Sequence, residues 1–188
     1  MANAKFKAKI DHTEKTIEEL FRTEYYTYEK STILLRLGIG VAAAVVGIVV
    51  VMPIWCRGIL LLIAGWLIAA KDFPSQVRAD KAVQDRNGIL PKMSYEFYEG
   101  YVTVSGEGSM NIQYKKFKRL VKDANYLYMF ISKDSVCMLE RESVKPKSDA
   151  ELMDFVAQKT GQEWKSEKSF LLLNIYDIRD MFRDRKAR

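Results

Sequence analysis

The residues best equipped for chemistry are few and scattered along the chain. His12 is the one histidine among 188 residues, and no cysteine or second histidine stands at metal-ligand spacing from it. The same isolation argues against a Ser-His-Asp triad, in which an imidazole must reach a serine on one side and a carboxylate on the other. Cys56 and Cys137 are too few for a disulfide framework and fall in regions of different character. Each reads as a small hydrophobe rather than a nucleophile. Gly106-Glu107-Gly108 lacks a third glycine and precedes a strand pattern, so it reads as a hairpin turn and not a dinucleotide loop. Neither G-x-x-x-x-G-K-[ST] nor H-E-x-x-H occurs. Glu140 and Glu142 have the i, i+2 spacing of one strand face, but Arg141 stands between them and marks an exposed edge. An enzyme is not expected, and no cofactor, metal or small-molecule substrate is implied.

The strongest candidate for recognition is basic. Lys115, Lys116, Lys118, Arg119 and Lys122 cluster within the run YKKFKRLVK, interleaved with apolar residues. On neighbouring strands such a run would face anionic headgroups or an acidic protein partner. The competing reading is a solvated sheet edge on which lysines discourage pairing with other chains. The formal net charge is +6, and its excess comes from residues 101–147 together with Arg36 and Arg57. Segments 1–30, 71–100 and 148–188 are each balanced. That is not the diffuse basicity of a nucleic-acid coat, so nucleic acid is not an expected partner.

These residues are positioned by a chain organised around residues 33–70, ILLRLGIGVAAAVVGIVVVMPIWCRGILLLIAGWLIAA, interrupted only by Arg36 and Arg57 and divided at Met52-Pro53. A helix needs about 20 mainly apolar residues to cross a bilayer. Residues 34–51 nearly fill that requirement and 54–70 sit at its short end, so a two-span hairpin is expected over 32–71. Gly38, Gly40, Ala43, Ala44 and Gly47 in the first span, with Gly65 and Ala69 in the second, offer small residues for close helix packing. Packing within the hairpin is the default, and a homodimer seam is the alternative. Arg36, Trp55, Arg57 and Lys71 read as membrane-interface anchors. Lys15, Arg22, Lys30 and Arg36 precede the first span, and Lys71, Arg78, Lys81 and Arg86 follow the second, while the turn holds Arg57 alone. Both termini are therefore expected in the cytoplasm, with the hairpin in the plasma membrane. No cleavable signal is expected, because the first apolar run follows some thirty charged and aromatic residues.

Residues 1–31 read as a short strand, KFKAKI, then an amphipathic helix with Asp11 as N-cap and Glu14 three residues on. Its stripe, Ile17, Leu20, Phe21, Tyr25 and Tyr28, either packs on the soluble domain or lies on the lipid surface. A polar linker helix is expected over 72–91, opened by Pro74 and closed by Asn87-Gly88. Residues 92–161 then read as short strands at 92–98, 101–105, 110–114, 117–122, 126–131 and 135–140, separated by turn chemistry. Ser148 caps a last helix that ends at Thr160-Gly161. An antiparallel meander closed by one amphipathic helix is the pattern of a pleckstrin-homology-like (PH-like) domain. The fold class expected is thus a membrane α-helical hairpin plus a cytoplasmic α+β domain. Residues 162–188 form an amphipathic, basic tail. Leu171, Ile175, Ile178 and Phe182 share one helical face, ahead of Arg183, Arg185, Lys186 and Arg188. It either docks on the domain or lies on the inner leaflet.

The double span followed by YEFYEGYVTVSGEGSMNIQYKKFKRLVKDANYLYMFISKDSVCMLERESV and a capped helix resembles the YcxB-like membrane proteins of bacteria. The correspondence is closest over 114–144, including YLYMF at 126–130, and extends more loosely over 5–161. The sequence departs from the family at Arg141-Glu142 and in its tail beyond Gly161. The resemblance implies two spans and a PH-like domain, and it brings no activity with it. The function expected is the tethering of a domain that binds a protein partner or inner-leaflet lipid. The alternatives are a membrane-bound regulator acting through homo-oligomerisation and an accessory transporter subunit.

Overall fold

The computed structural model of the protein describes residues 3–166. The chain divides into two compact units, residues 1–10 with 92–188, and residues 11–91. The described residues of the first form two sheets and one helix, and the second is helical from Glu14 to Asp85. The architecture is α+β.

In the sheet unit, β1 (Phe6–Asp11) alternates buried and exposed residues, so Phe6, Ala8 and Ile10 all point inward. It lies beside β2 (Lys92–Phe97), followed by β3 (Tyr101–Ser105) and β4 (Ser109–Gln113), in the sheet order β1-β2-β3-β4. Consecutive hairpins set the registers, Phe97 opposite Val102 and Val102 opposite Ile112, which keeps all three in the core. At Gly106, in the β3–β4 turn, a Cβ would meet the Met93 side chain at Sδ, which would have to move aside. A second sheet contains β5 (Arg119–Lys122), β6 (Tyr126–Ser132) and β7 (Ser135–Glu140), plus a two-residue strand β8 (Trp164–Lys165). Its order is β7-β6-β5-β8. Leu127, Tyr128, Met129 and Phe130 of β6 are all fully buried, so both faces of this central strand are covered.

The expected meander is thus two sheets rather than one. The break falls at Tyr114–Lys116, a 3₁₀ turn that takes in the last residue of the strand expected at 110–114 and the two residues before the one expected at 117–122. Residues three apart eclipse in a 3₁₀ turn, so Tyr114 and Phe117 both enter the core and the ladder is interrupted between them. The last helix, α5, is numbered after four others in the helical unit and spans Asp149–Thr160. Its Ser148 cap accepts from the Glu151 amide, and Gly161 terminates it in the left-handed region at φ 65°. Leu152 and Val156 are buried, and the Phe155 ring meets Phe6 at 5.5 Å and Tyr114 at 5.7 Å. Arg141 is a clamp rather than part of an acidic edge. Its Nε donates to Asp149 Oδ2 at 2.6 Å and its Nη1 to the Asp123 carbonyl at 2.9 Å, tying the start of α5 to the β5–β6 turn.

The helical unit contains α1 (Glu14–Tyr28), α2 (Lys30–Val49), α3 (Ile54–Ala69) and α4 (Phe73–Asp85). The N-cap of α1 is Thr13, not Asp11. The Thr13 hydroxyl accepts from Thr16 N while Thr16 Oγ1 accepts from Thr13 N at 2.7 Å, so threonine serves at both corners of the capping box. Asp11 is instead the last residue of β1. Helix α1 packs on α4, a partner that neither sequence reading named. Asn87 at φ 50° and Gly88 at φ 73° end the run that follows α4.

Helices α2 and α3 pack side by side. The close approach is made at Gly40, facing Ala64, Leu67 and Ile68, and at Gly47, facing Leu60 and Leu61. Gly38 and Gly65, which the small-residue spacing also singles out, have open space where a Cβ would stand. Lys30–Val49 and the helical run Ile54–Asp85 are each long and apolar enough to cross a membrane. The tail helix expected around Leu171–Phe182 lies outside the described residues.

Candidate functional site

The basic run occupies the junction between the two sheets. Tyr114, Phe117, Leu120 and Val121 are its buried anchors, at 4 % exposure or less. Because those four positions turn inward, Lys115, Lys116, Lys118 and Arg119 are exposed and Lys122 is half-buried. The anchors are fixed well: Tyr114 Oη donates to the Tyr98 carbonyl at 2.7 Å, and the Lys118 amide donates to the Phe130 carbonyl at 2.7 Å. All five expected residues therefore come together on one short segment of a rigid scaffold. The segment leads into β5, which pairs with β6 along its length and with β8 over two positions.

A shallow groove of about 710 Å³ lies between the start of β1 and α5, lined by Phe6 and Phe155 with Lys5, Lys147, Glu151 and Asp154 at its sides. Its charges are largely matched. Lys147 pairs with Glu151 at 2.9 Å, and Glu99 accepts from both Lys5 and Lys159. Those two ammonium groups, Lys159 foremost, hold the Glu99 carboxyl down at about 2. Lys5 and Lys159 also stand over the Phe155 ring at 5.2 and 5.6 Å. The arrangement orients the groove without supplying a nucleophile beside a base.

In the helical unit, polar side chains gather where α1 meets α2 and α3 meets α4. Tyr26 donates to Asp72, Ser75 Oγ to the Asp72 carbonyl at 2.7 Å, and Arg78 to Glu29 at 2.7 Å and Glu24 at 3.5 Å. Tyr25 lies beneath the Arg78 guanidinium at 6.0 Å with its hydroxyl buried and unpartnered, and burial raises its pKa while the Arg36 charge opposes that. Neutral tyrosine is the form such a site holds. Sequence reasoning missed this knot. Its signal was the Tyr25-Tyr26 pair before the apolar run and Lys71-Asp72 after it.

The four expected interface residues are placed differently from one another. Trp55 is 66 % exposed, Arg36 and Arg57 are half-buried, and Lys71 is buried at 8 % within the 3₁₀ turn Ala70–Asp72. His12, partly buried, lies 3.3 Å from Thr16 Oγ1, and burial first and Arg86 second lower its pKa. No group of three or more His, Cys, Asp or Glu suited to a metal occurs among the described residues.

Comparison with known proteins returns one family. Residues 97–156, from the last residue of β2 through most of α5, match the YcxB-like protein family. This supports the assignment suggested by the strand pattern, and the basic run lies inside the matched segment. No curated protein and no solved structure matches the chain.

Proposed function

We propose that the protein is a two-span plasma-membrane protein that tethers a PH-like domain at the cytoplasmic face, where the basic run meets an acidic protein partner or anionic lipid. Its role is binding rather than catalysis. One observation carries the reading: the helical unit is inserted between two strands that neighbour each other in one sheet, β1 and β2. Only His12 and Thr13 separate β1 from α1, so the domain is anchored through two chain crossings instead of one loose tail. The exposed flanks of α2 and α3 support the bilayer half of the reading. Val49, Ile54 and Leu62 are 72, 79 and 75 % exposed, more apolar surface than a soluble protein leaves to water. Two sheets of antiparallel hairpins followed by a capped helix support the PH-like half.

Amine labelling tests the basic run. With the full chain in bilayers of phosphatidylcholine, adding phosphatidylserine should slow acylation of Lys115, Lys116 and Lys118, and raised salt should restore it. Labelling that ignores the lipid charge removes lipid as the ligand and leaves the acidic protein partner.

Cysteine labelling tests the topology, with one constraint from the structure. Burial pushes the Cys137 thiol up to about 12, so native Cys137 is expected to stay unlabelled from either side and to react only after unfolding. An exposed marker such as Ser135→Cys is needed instead. It should react only once the membrane is opened, and reaction in sealed right-side-out vesicles would reverse the orientation.

A second reading, association between copies, rests on Gly38 and Gly65, which with Gly58 are the glycines of the two hairpin helices that have open space where a Cβ would stand.

A further inference from the structure

Along the helical run Ile54–Asp85, steps of three and four residues join Ile59, Leu62, Trp66, Ala69, Phe73 and Val77, and each of them is exposed. That spacing keeps side chains on one side of a helix. The stripe does not stop where the apolar sequence stops. Lys71 and Asp72 interrupt the sequence, but both are buried, and Tyr26 of α1 donates to the Asp72 carboxylate. The charged pair is thus turned away from the exposed face, while Phe73 and Val77 beyond it are 56 and 47 % exposed. The face becomes polar only at Asp80 and Gln84, the next exposed residues along it.

Helix length and register point the same way. α3 has sixteen residues, which span about 24 Å at 1.5 Å per residue, against a hydrocarbon core of about 30 Å. Continuing the helix from Ala69 to Val77 adds about 12 Å. Gly40 faces Ala64, Leu67 and Ile68 while Gly47 faces Leu60 and Leu61, so α2 and α3 run antiparallel. Leu34 stands as far before Gly40 as residues 70–74 stand beyond those contacts, which puts it level with them. Leu34 and Leu35 are themselves exposed, so the apolar belt on α2 reaches the depth of Phe73. We propose that inner-leaflet lipid covers the Phe73–Val77 face of α4, that the membrane boundary on this helix lies between Val77 and Asp80, and that Lys71 and Asp72 sit at bilayer depth, kept out of lipid by the helical bundle. The proposal rests on the two-span reading above. It makes the first two turns of α4 part of the membrane anchor rather than of a polar linker, and it commits to lipid because the face continues the exposed apolar flank of α3 without a break.

The test uses the full chain in phosphatidylcholine nanodiscs, with Cys56→Ser as background and buried Cys137 left unlabelled. Spin labels are placed singly through Leu62→Cys, Phe73→Cys, Val77→Cys and Lys81→Cys, and their collisions with oxygen, which partitions into lipid, are compared with those of a water-soluble nickel chelate. Labels at 62, 73 and 77 should favour oxygen, and the label at 81 should favour the chelate. Oxygen preference at 62 with chelate preference at 73 and 77 overturns the proposal and leaves the two-span reading standing. Oxygen preference at 73 with chelate preference at 77 overturns the boundary beyond Val77. Chelate preference at 62 removes the two-span reading itself, and the proposal with it. Labels at 73 and 77 that neither reagent reaches mean that protein, from this chain or a second copy, covers the face, which overturns lipid as its occupant. Should either α4 variant fail to fold, Gln76→Cys, exposed on the same two turns, takes its place.

Discussion

A protein in which residues 13–90 are replaced by Asn-Gly, joining His12 to Pro91, is expected to be soluble and cooperatively folded. A fragment of residues 92–166 alone is expected to be unfolded or molten. The difference is β1. Phe6, Ala8 and Ile10 are exposed by 4, 4 and 0 %, so their loss opens the core beside Tyr95 and Phe97. Burial of a Phe or Ile side chain contributes roughly 1.5–3 kcal/mol, and a domain's net stability is only about 5–15 kcal/mol. Losing β1 also strands backbone groups. Lys7 N donates to the Lys145 carbonyl at 2.7 Å and Lys145 N to that of Lys7 at 2.8 Å, while the Ser143 hydroxyl donates to the Lys9 carbonyl at 2.8 Å. The fusion is geometrically reasonable because the His12 amide already donates to the Pro91 carbonyl at 3.3 Å, so the chain leaves and returns at one point. Asn-Gly suits the two-residue turn that would close such a pair. Thermal melts and a dispersed amide spectrum check both proteins. A fusion no more stable than the fragment would mean that β1 contributes little to the sheet.

That dependence marks the limit of what the sequence made legible. Local features were readable because their causes are local. Ser148 and Gly161 bound α5 as read, the apolar runs became α2 and α3, and β3 and β7 fall on the expected residues. The strand character of residues 5–10 was visible too, but its partner lies some eighty residues away across the hairpin, and no periodicity encodes that. Tyr114–Lys116 shows why the two sheets were read as one. The reading left only Lys115 and Lys116 between the strands at 110–114 and 117–122, with no Gly, Pro, Asn or Asp there to mark a turn, so nothing in the pattern revealed a 3₁₀ turn that ends one sheet. Thr13 displaced Asp11 as cap because the chain stays paired through Asp11, and extended pairing there removes it from the helix start.

The candidate site was legible in composition and not in arrangement. Lys115, Lys116, Lys118, Arg119 and Lys122 stand out in any reading of charge. That they lead into a strand, β5, which pairs with the two-residue β8 depends on Trp164, which appears in the sequence as a lone aromatic after a helix cap. A two-residue strand falls below any pattern test. The Tyr26–Asp72 contact was hidden for the same reason as β1, because its partners are brought together only by the folding back of the hairpin.

Gly40→Leu is expected to destabilise the helical unit by about 1–3 kcal/mol, the usual cost of overpacking a close contact, whereas Gly38→Leu should be neutral or slightly stabilising. Both glycines lie in α2, two positions apart, so helix propensity favours leucine equally at each. What differs is the opposite surface. A Cβ on Gly40 would stand 3.0 Å from Ile68 Cγ1 and 3.4 Å from the Ala64 carbonyl oxygen, and nothing lies within 4 Å at Gly38. Ile68 can shift its side chain, but the backbone of α3 cannot yield without parting from α2. In lipid, apolar side chains gain little by leaving one another, so close packing is the main interaction holding such helices together. Unfolding in mixed micelles, or the thermal loss of monodisperse protein from detergent, would read the difference. Equal melting of the two variants would mean that the hairpin is not held at Gly40. A Gly38→Leu protein that folds normally but no longer associates would give the outward glycines a different role. The two substitutions thus separate packing within one chain from packing between copies, which the spacing of small residues alone leaves undivided.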